Sequence, residues 1–360
     1  MDKRYQFELK TKSRPHVVIL GAGASAAATA GDSCGFHIPT MDNFIKEAGF
    51  GYLFDGFHLH TKSNNLEAIY SELSERSKVD KEAEAVKKKL ETALSTYMKN
   101  LSLPIGIPTI YDFLVASLTS KDLIATFNWD PLLINALSRA TLYGIKTDDE
   151  LPQTAFLHGN AKNGYCDKCR IETIINQQGQ RCRYCGEILA PSKLLYPTKD
   201  KNYKSDSHIK SQWTKLELYL KHAYQITIFG YSAPKSDTAA MKLIKNDYGK
   251  KDKHPIEQVN FIDLKGIDEL YRRFKGLIYH DHYSCVNDFF KSTLATCPRR
   301  TNEYLFDVTM NVIWGNIKNG FKQNMSFDDI REIVEPLLQK ERTNSKGQVL
   351  DDPYVCFTNG

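Results

Sequence analysis

Four of the eight cysteines in this chain of 360 residues stand close together as two Cys-x-x-Cys pairs. Cys166 is paired with Cys169, Cys182 is paired with Cys185, and twelve residues separate the pairs. The two thiolates of each pair can point at one centre, and four thiolates satisfy the tetrahedral preference of zinc. Because the protein would then fill every coordination position, we expect a structural zinc ion without a catalytic water. Iron is the alternative metal for the same ligands.

A glycine-rich turn follows the first apolar segment, residues 16–20. A diphosphate approaches a backbone where side chains are absent or very small, and its charge is favoured at a helix N-terminus. The turn therefore predicts contacts with the diphosphate of a dinucleotide, and a tight turn without a ligand is the alternative. An acidic residue usually follows about 20 positions later, but here Asp42 comes after a proline-containing loop. The candidate contacts are Gly21, Ala22, Gly23, Ala24 and Ser25.

Asn128 and Asp130 directly follow the apolar segment 123–126. The carboxyl ends of parallel strands are where α/β folds place their ligand contacts. An asparagine there can hold a water or a ribose hydroxyl, and an aspartate can accept hydrogen bonds from a ribose or an amide. The alternative for Asp130 is a cap on a helix that begins at Pro131.

His158 follows the apolar segment 154–157 and precedes a glycine. A histidine titrates near neutral pH, so at a strand end it could act as general base on a ribose hydroxyl or a water. A structural histidine is the alternative. Gly230 and Ser232 follow the segment 225–229 and could meet a phosphate or a ribose, and Asp263 follows 259–262 and could hold a ribose.

Short apolar strand candidates alternate with helical segments such as 131–142 and 211–222. This alternation predicts an α/β fold with a Rossmann-like doubly wound parallel sheet, helices on both of its faces and a small zinc-ribbon and helical module. The strands are expected at residues 16–20, 123–126, 154–157, 225–229, 259–262 and 276–279.

The same pattern predicts the organisation of the chain. Residues 1–300 would form the nucleotide-binding domain, with a helical insertion at about 60–105 and the zinc ribbon at about 161–190. Residues 301–360 would form a C-terminal helical segment and tail, in which the helical part 305–321 could mediate assembly.

Composition narrows the function classes. Hydrophobic residues make up 41% and charged residues 25%, and 48 basic minus 43 acidic residues give a net charge of +5 that is spread along the chain. Such a balance does not favour direct nucleic-acid binding. No apolar run approaches the roughly 20 residues of a membrane-spanning helix, and the polar start lacks a signal peptide. We therefore expect a cytoplasmic protein without a membrane partner.

Read in order, these motifs resemble those of the sirtuin family over roughly residues 15–285. The order is a Gly-Ala-Gly-x-Ser turn, a Thr-x-Asn-x-Asp strand end, a His-Gly loop, the ribbon and a Gly-x-Ser turn. The resemblance implies NAD bound between a Rossmann domain and a smaller module. Asn128 would position the ribose or an attacking water, and His158 would be the base. The diphosphate would lie at Gly21 to Ser25, and the adenosine side at Gly230, Ser232 and Asp263.

Two departures change the expected activity. Protein-deacylating sirtuins carry a Gly-Ile-Pro-x-Phe-Arg stretch and a Phe-Gly-Glu segment. Here residues 35–44 keep a proline but lack the Phe-Arg, and residues 195–200 stand in place of the Phe-Gly-Glu segment. The chain is more similar to divergent sirtuin-like domains of prokaryotic antiphage systems, which typically degrade NAD, often form oligomers and are often paired with a sensor or ATPase. We therefore expect an NAD glycohydrolase. A protein deacylase, a non-catalytic NAD or ADP-ribose sensor and a zinc-ribbon nucleic-acid module are the alternatives.

Overall fold

The computed structural model describes residues 3–30, 38–177, 179–197, 203, 206–234, 237–248, 258–278, 282–312 and 320–343. Within these residues a central sheet of six strands has the order β3-β2-β1-β7-β8-β9, and every neighbouring pair is parallel. This is the order of a doubly wound sheet, in which the chain adds strands first on one side of β1 and then on the other. The predicted fold class is confirmed. The strands are β1 (His16–Leu20), β2 (Leu123–Thr126), β3 (Gln153–Phe156), β7 (Gln225–Phe229), β8 (Gln258–Ile262) and β9 (Tyr283–Val286).

Helices cover both faces of the sheet, as the strands require. Along β1, Val18 and Leu20 belong to one buried cluster while Val17 and Ile19 belong to another, because successive side chains point to opposite faces. The helices are α1 (Lys3–Lys12), α2 (Ala22–Ala28), α3 (Phe44–Glu47), α4 (Leu66–Arg76), α5 (Lys81–Lys99), α6 (Ile110–Ser117), α7 (Leu132–Leu142), α8 (Ser207–His222), α9 (Thr238–Tyr248), α10 (Ile267–Phe274), α11 (Thr293–Thr296), α12 (Thr301–Phe306) and α13 (Phe327–Thr343). Helices α8, α9 and α10 pack on the Val17 face, and α4 to α7 and α13 pack on the other.

An apolar run predicted the sixth strand at residues 276–279, of which residue 279 lies outside the described residues, and residues 276–278 do not form that strand. Gly276 has a φ of +99°, which a strand cannot contain, and Lys275 and Ile278 form only an isolated bridge. Leu277 is buried as an anchor after α10 rather than as a strand residue. Residues 283–286 pair with β8 instead, although they are less apolar.

Helices α4 and α5 form a hairpin beside the sheet. Leu66, Leu73, Leu90 and Leu94 recur at helical spacing and are fully buried in the main core. Asn65 caps the start of α4 through its side chain, as Asp80 caps α5. The hairpin is therefore packed against the sheet domain over one whole face.

A small antiparallel sheet between β3 and α8 carries the cysteine pairs. Its strands are β4 (Asn163–Cys166), β5 (Ile171–Ile174) and β6 (Ala190–Pro191), in the order β5-β4-β6. At the other end of the chain, α12 and α13 follow the sheet. Of the predicted C-terminal segment, residues 313–319 and 344–360 lie outside the described residues. No helix among the described residues has both the length and the apolar composition needed to cross a membrane.

Candidate active site and metal centre

The carboxyl edge of the sheet brings the predicted loops together, because the strand ladder continues past the strand ends. Gly21 donates its backbone N–H to Phe229, and Phe127 donates to Leu20. Gly230 in turn donates to Ile262. The turns after β1, β2, β7 and β8 are thereby fixed side by side at the carboxyl edge. The strand order reverses between β1 and β7, and open α/β sheets bind ligands at such a switch point.

Three glycines allow the turns after β1 and β7 to touch backbone to backbone. A Cβ on Gly21 would lie 2.6 Å from the carbonyl oxygen of Gly230, and a Cβ on Gly23 would lie 2.9 Å from its Cα. Gly230 itself has a φ of +59°. The N–H of Gly23 donates to the Gly230 carbonyl over 2.9 Å. Loop packing therefore demands these glycines independently of any diphosphate.

A hydrogen-bonded network joins four side chains just behind these turns. The Ser25 hydroxyl donates to Asp130 Oδ2 over 2.7 Å and lies 2.8 Å from the Tyr111 hydroxyl. The Asn128 Nδ2 donates to Ser25 Oγ over 2.8 Å and to the carbonyl oxygen of Gly21 over 2.9 Å. The structure thus unites the predicted Ser25, Asn128 and Asp130, and the network fixes the orientation of the Asn128 amide.

Fixing the amide in this way defines what Asn128 can do. Both hydrogens of its Nδ2 are directed into the network, which also includes Tyr111 at 3.3 Å. Among the described residues, Oδ1 of the half-buried side chain has no hydrogen-bond partner. Asn128 therefore presents an acceptor that suits a hydroxyl group or a water.

Asp130 has the capping role that the sequence offered as the alternative, and it also supports Ser25, whereas its predicted ligand contact stays a prediction. Its Oδ1 accepts the backbone N–H of Leu132 over 3.1 Å at the start of α7, and its Oδ2 accepts the Ser25 hydroxyl. Burial raises the pKa of Asp130, while these hydrogen bonds act in the opposite direction. The carboxyl group is therefore used as an internal support for Ser25 and α7.

Tyr111 is a site residue that sequence reasoning missed. It lies in the first turn of α6, which begins with a capping box in which Thr109 and Asp112 satisfy each other's backbone. Burial and the nearby Asp130 raise the pKa of Tyr111, so its hydroxyl stays protonated. A Thr-x-x-Asp pattern in the sequence marks the helix start, but nothing in it shows which groups the tyrosine meets.

His158 lies next to this network and is buried. Phe127, the residue before Asn128, packs edge-on against its ring with centroids 4.9 Å apart. The His158 Nε2 is 3.8 Å from Asp237 Oδ1 and 3.5 Å from the Tyr203 hydroxyl. Asp237 directly precedes α9 and is not among the site residues that the sequence predicted.

Ser232 and Asp263 stand apart from the network. The Ser232 carbonyl accepts a hydrogen bond from Arg273, and Asp263 Oδ1 accepts the backbone N–H of Lys265 over 2.9 Å. Both side chains are half-buried at the carboxyl edge. Among the described residues, no hydrogen bond joins either side chain to Ser25 or Asn128, and their assignment to an adenosine subsite remains a prediction.

The four ribbon cysteines form a compact cluster in which all sulfur atoms lie within 4.8 Å of one another. A tetrahedron with Zn–S bonds of about 2.3 Å has edges of about 3.8 Å, so the donor set fits zinc. The two Cys-x-x-Cys turns have the same backbone geometry. Arg170 and Gly186, which follow the pairs, both have a positive φ. Arg170 donates its N–H to the carbonyl of Cys166, and Gly186 donates its N–H to the carbonyl of Cys182. The backbone N–H of Tyr184 lowers the pKa of Cys182 to about 7, whereas the neighbouring Cys185 thiol raises the pKa of Cys169.

No protein-family model and no curated protein matches the chain. Solved structures that are similar to it are Sir2 and sirtuin structures. A Sir2 bound to an acetylated peptide is 13% identical with a TM-score of 0.36, covering 87% of this chain and 100% of that chain. A mutant Sir2 homologue in complex with ADP-ribose is 13% identical with a TM-score of 0.36, covering 94% and 98%. A structure on sirtuin substrate affinity is 16% identical with a TM-score of 0.37, covering 80% and 94%. At such identities and TM-scores the similarity assigns no activity, substrate or partner to this chain.

Proposed function

We propose that this protein is an NAD glycohydrolase, which uses water to cleave NAD into nicotinamide and ADP-ribose. The observation that carries the proposal is the fixed Asn128 amide at the switch point of the sheet. Its Nδ2 is held by Gly21 and Ser25, so its Oδ1 faces away from the network as an acceptor. An oriented acceptor beside a buried histidine suits a reaction in which a ribose and a water must both be positioned.

The reaction does not require a strong general acid from the protein. Nicotinamide in NAD is already a cationic leaving group, and its departure develops positive charge on the ribose, as in glycoside hydrolysis. Asn128 Oδ1 would hold a ribose hydroxyl or the water, and His158 would accept the proton released when water attacks. Ser25, Tyr111 and Asp130 would keep the amide in place. The zinc ion would hold the ribbon and take no part in the reaction.

The segment that follows the ribbon favours water over an acyl peptide as the co-substrate. Tyr196 stacks on Tyr70 of α4 with centroids 5.1 Å apart, and its hydroxyl donates to the carbonyl of Glu91 in α5. Ser71 donates to the carbonyl of Pro197, and the N–H of Leu195 donates to His158. A peptide that adds as a strand needs free backbone groups along an edge, and the helical hairpin engages this segment instead.

Nicotinamide release from NAD by the purified protein, with and without an acetyl-lysine peptide, tests the proposal. We expect release without peptide, and we expect Asn128→Ala and His158→Ala to abolish it while circular dichroism shows that both remain folded. His222→Ala is the matched control, because His222 is exposed at the end of α8. Release only with peptide would establish a deacylase, and bound but intact NAD would establish a sensor.

We further propose that this activity serves antiphage defence in an oligomer, in the cytoplasm, with an ATPase or a sensor protein as partner. The Asn-Trp-Asp-Pro-Leu-Leu and Gly-Tyr-Ser turns support this, since they resemble those of defence-associated domains. Cells that express the wild type should lose NAD after phage infection, whereas cells that express His158→Ala should keep it. Equal NAD levels in the two strains would contradict the defensive role.

A further inference from the structure

A buried carboxylate stands beside the proposed general base. Asp237 is 3% exposed and His158 is 4% exposed, and the distance from Asp237 Oδ1 to His158 Nε2 is 3.8 Å. Asp237 comes from the turn between β7 and α9, whereas His158 comes from the end of β3. The contact therefore joins two separate strand ends across the carboxyl edge.

Aromatic side chains enclose the pair and limit its movement. Tyr231 donates its hydroxyl to Asp237 Oδ2 over 3.1 Å and stacks on Phe127 with ring centroids 4.2 Å apart. Phe127 in turn packs on the edge of the His158 ring, and Tyr203 stacks parallel to the same ring. Burying a carboxylate costs free energy unless polar groups compensate for the lost water. The Tyr231 hydroxyl and the His158 ring are such groups beside Asp237.

We propose that Asp237 is a positioning residue for His158, which holds the imidazole in one tautomer and balances its charge when it accepts a proton. The proposal rests on the glycohydrolase function given above. With a proton on Nε2 facing Asp237, the lone pair of the neutral ring is on Nδ1. The proton that water loses on attacking the ribose moves to the imidazole, and it leaves to solvent after ADP-ribose departs. The proton is not passed on to Asp237.

A merely structural role makes a different prediction. Asp237 immediately precedes α9, and in a merely structural role its carboxylate would serve only as a cap on that helix. Loss of a cap would lower stability but would leave the tautomer of His158 and the turnover of folded enzyme unchanged. The two roles are therefore separable by measurement.

The first test compares steady-state NAD cleavage by the wild type and Asp237→Asn. We expect kcat to fall about 100-fold, with KM for NAD changing less than about threefold. Asp122→Asn is the matched control, because Asp122 is a buried aspartate that accepts the backbone N–H of His16 at the opposite edge of the sheet. It should keep kcat within about twofold per folded molecule. Equal losses of kcat in both variants would overturn the proposal.

The second test does not depend on turnover. Long-range ¹H–¹⁵N spectra of histidine-labelled protein report which ring nitrogen carries the proton, and the His158 signal is assigned by its loss in His158→Ala. We expect an Nε2–H tautomer in the wild type, a mixture in Asp237→Asn and restoration in Asp237→Glu. The same tautomer in the wild type and the asparagine variant would refute the pairing. An inactive wild type with the expected tautomers would reject the glycohydrolase function and keep the pairing.

Discussion

Gly230 links two loops of the site through its missing side chain. Its φ of +59° is a left-handed conformation, and a Cβ at this position would lie 2.3 Å from the backbone nitrogen of Ala24. The strand-end turn and helix α2 can therefore approach only because position 230 is a glycine. Since α2 carries Ser25, the position of the Asn128 amide depends on this contact.

Gly230→Ala should lower the free energy of unfolding by about 3 kcal/mol or more and should also abolish NAD cleavage, because the loops must separate. Gly144→Ala is the matched control: its φ is +66°, but a Cβ there would meet no atom within 4 Å. It carries only the conformational cost of about 1–2 kcal/mol. Urea unfolding of both variants measures the difference, and equal losses would show that the loop contact is unimportant.

The sequence predicted the site residues that directly follow a strand, but it missed those that reach the site from a distant element. Asn128 and Asp130 follow an apolar run, so the sheet alone places them at the carboxyl edge. Tyr111 reaches Asn128 from a helix 17 residues earlier in the chain. Its partner depends on how α6 packs against α2, which residue spacing does not encode. The sequence likewise does not show that Asp237 meets His158, because His158 follows a strand end far away in the chain.

The zinc ribbon is an element with almost no apolar core of its own. Its buried cluster consists of Cys166, Cys182 and Leu189. The partly buried residues packed against this cluster are Cys169, Ile171, Ile175 and Cys185. Small modules of this kind obtain most of their folding free energy from the metal. The ribbon should therefore depend on zinc, whereas the six-stranded sheet should not.

Purified protein should contain about one zinc ion per chain, and Cys182→Ser should lose it because a tetrahedral site then lacks one ligand. Hydrogen exchange should rise in residues 163–191 and stay slow in the central strands. Cys285→Ser is the control, since Cys285 lies in β9 outside the cluster. Full zinc content in Cys182→Ser would show that the four sulfur atoms do not form the metal site.

Strand β1 supplies a pH-dependent contribution to stability through His16. The buried ring is 2.9 Å from the Thr301 hydroxyl through Nδ1 and 2.8 Å from the Thr227 hydroxyl through Nε2. Burial lowers the pKa of His16 from 6.5 to about 4. The unfolded chain therefore binds more protons between these values, so stability is fully present above pH 6.5 and is lost as the pH falls towards 4.

The loss should amount to about 3 kcal/mol. His16→Asn should be less stable at pH 7, but its free energy of unfolding should depend less on pH between 6.5 and 4. Urea unfolding at several pH values in this interval compares the slopes. Parallel curves for the two proteins would contradict a neutral buried His16.

The fold was predictable from the sequence wherever burial and strand type agreed. In β1, β2 and β7 both faces are buried, so an uninterrupted apolar run identifies the strand. Strand β9, at one edge of the sheet, is less buried than these strands. It is accordingly less apolar than residues 276–278, which anchor the preceding turn. The apolar pattern therefore identified β3 at one edge of the sheet but not β9 at the other edge.

Helix α13, the last helix among the described residues, packs into the main core of the sheet domain. Ile330, Val334 and Leu338 of α13 are fully buried in the core that contains α6, the helix that carries Tyr111. Near the end of α13, Glu341 forms ion pairs with Arg299 and Arg300, whose side chains are 1% and 2% exposed. Packing thus runs continuously from the last described helix to the network around Asn128.

Glu341→Ala should lower the free energy of unfolding by about 3–5 kcal/mol, because it removes the carboxylate that contacts both buried guanidinium groups. Glu335→Ala is the matched control on the same helix, since its ion pair with Arg342 is exposed and such pairs contribute about 0–1 kcal/mol. Loosening α13 should also raise hydrogen exchange in α6 and weaken NAD cleavage through Tyr111. If Glu341→Ala proved destabilised while exchange in α6 stayed at the wild-type level, α13 would be a stabilising appendage that is uncoupled from the site.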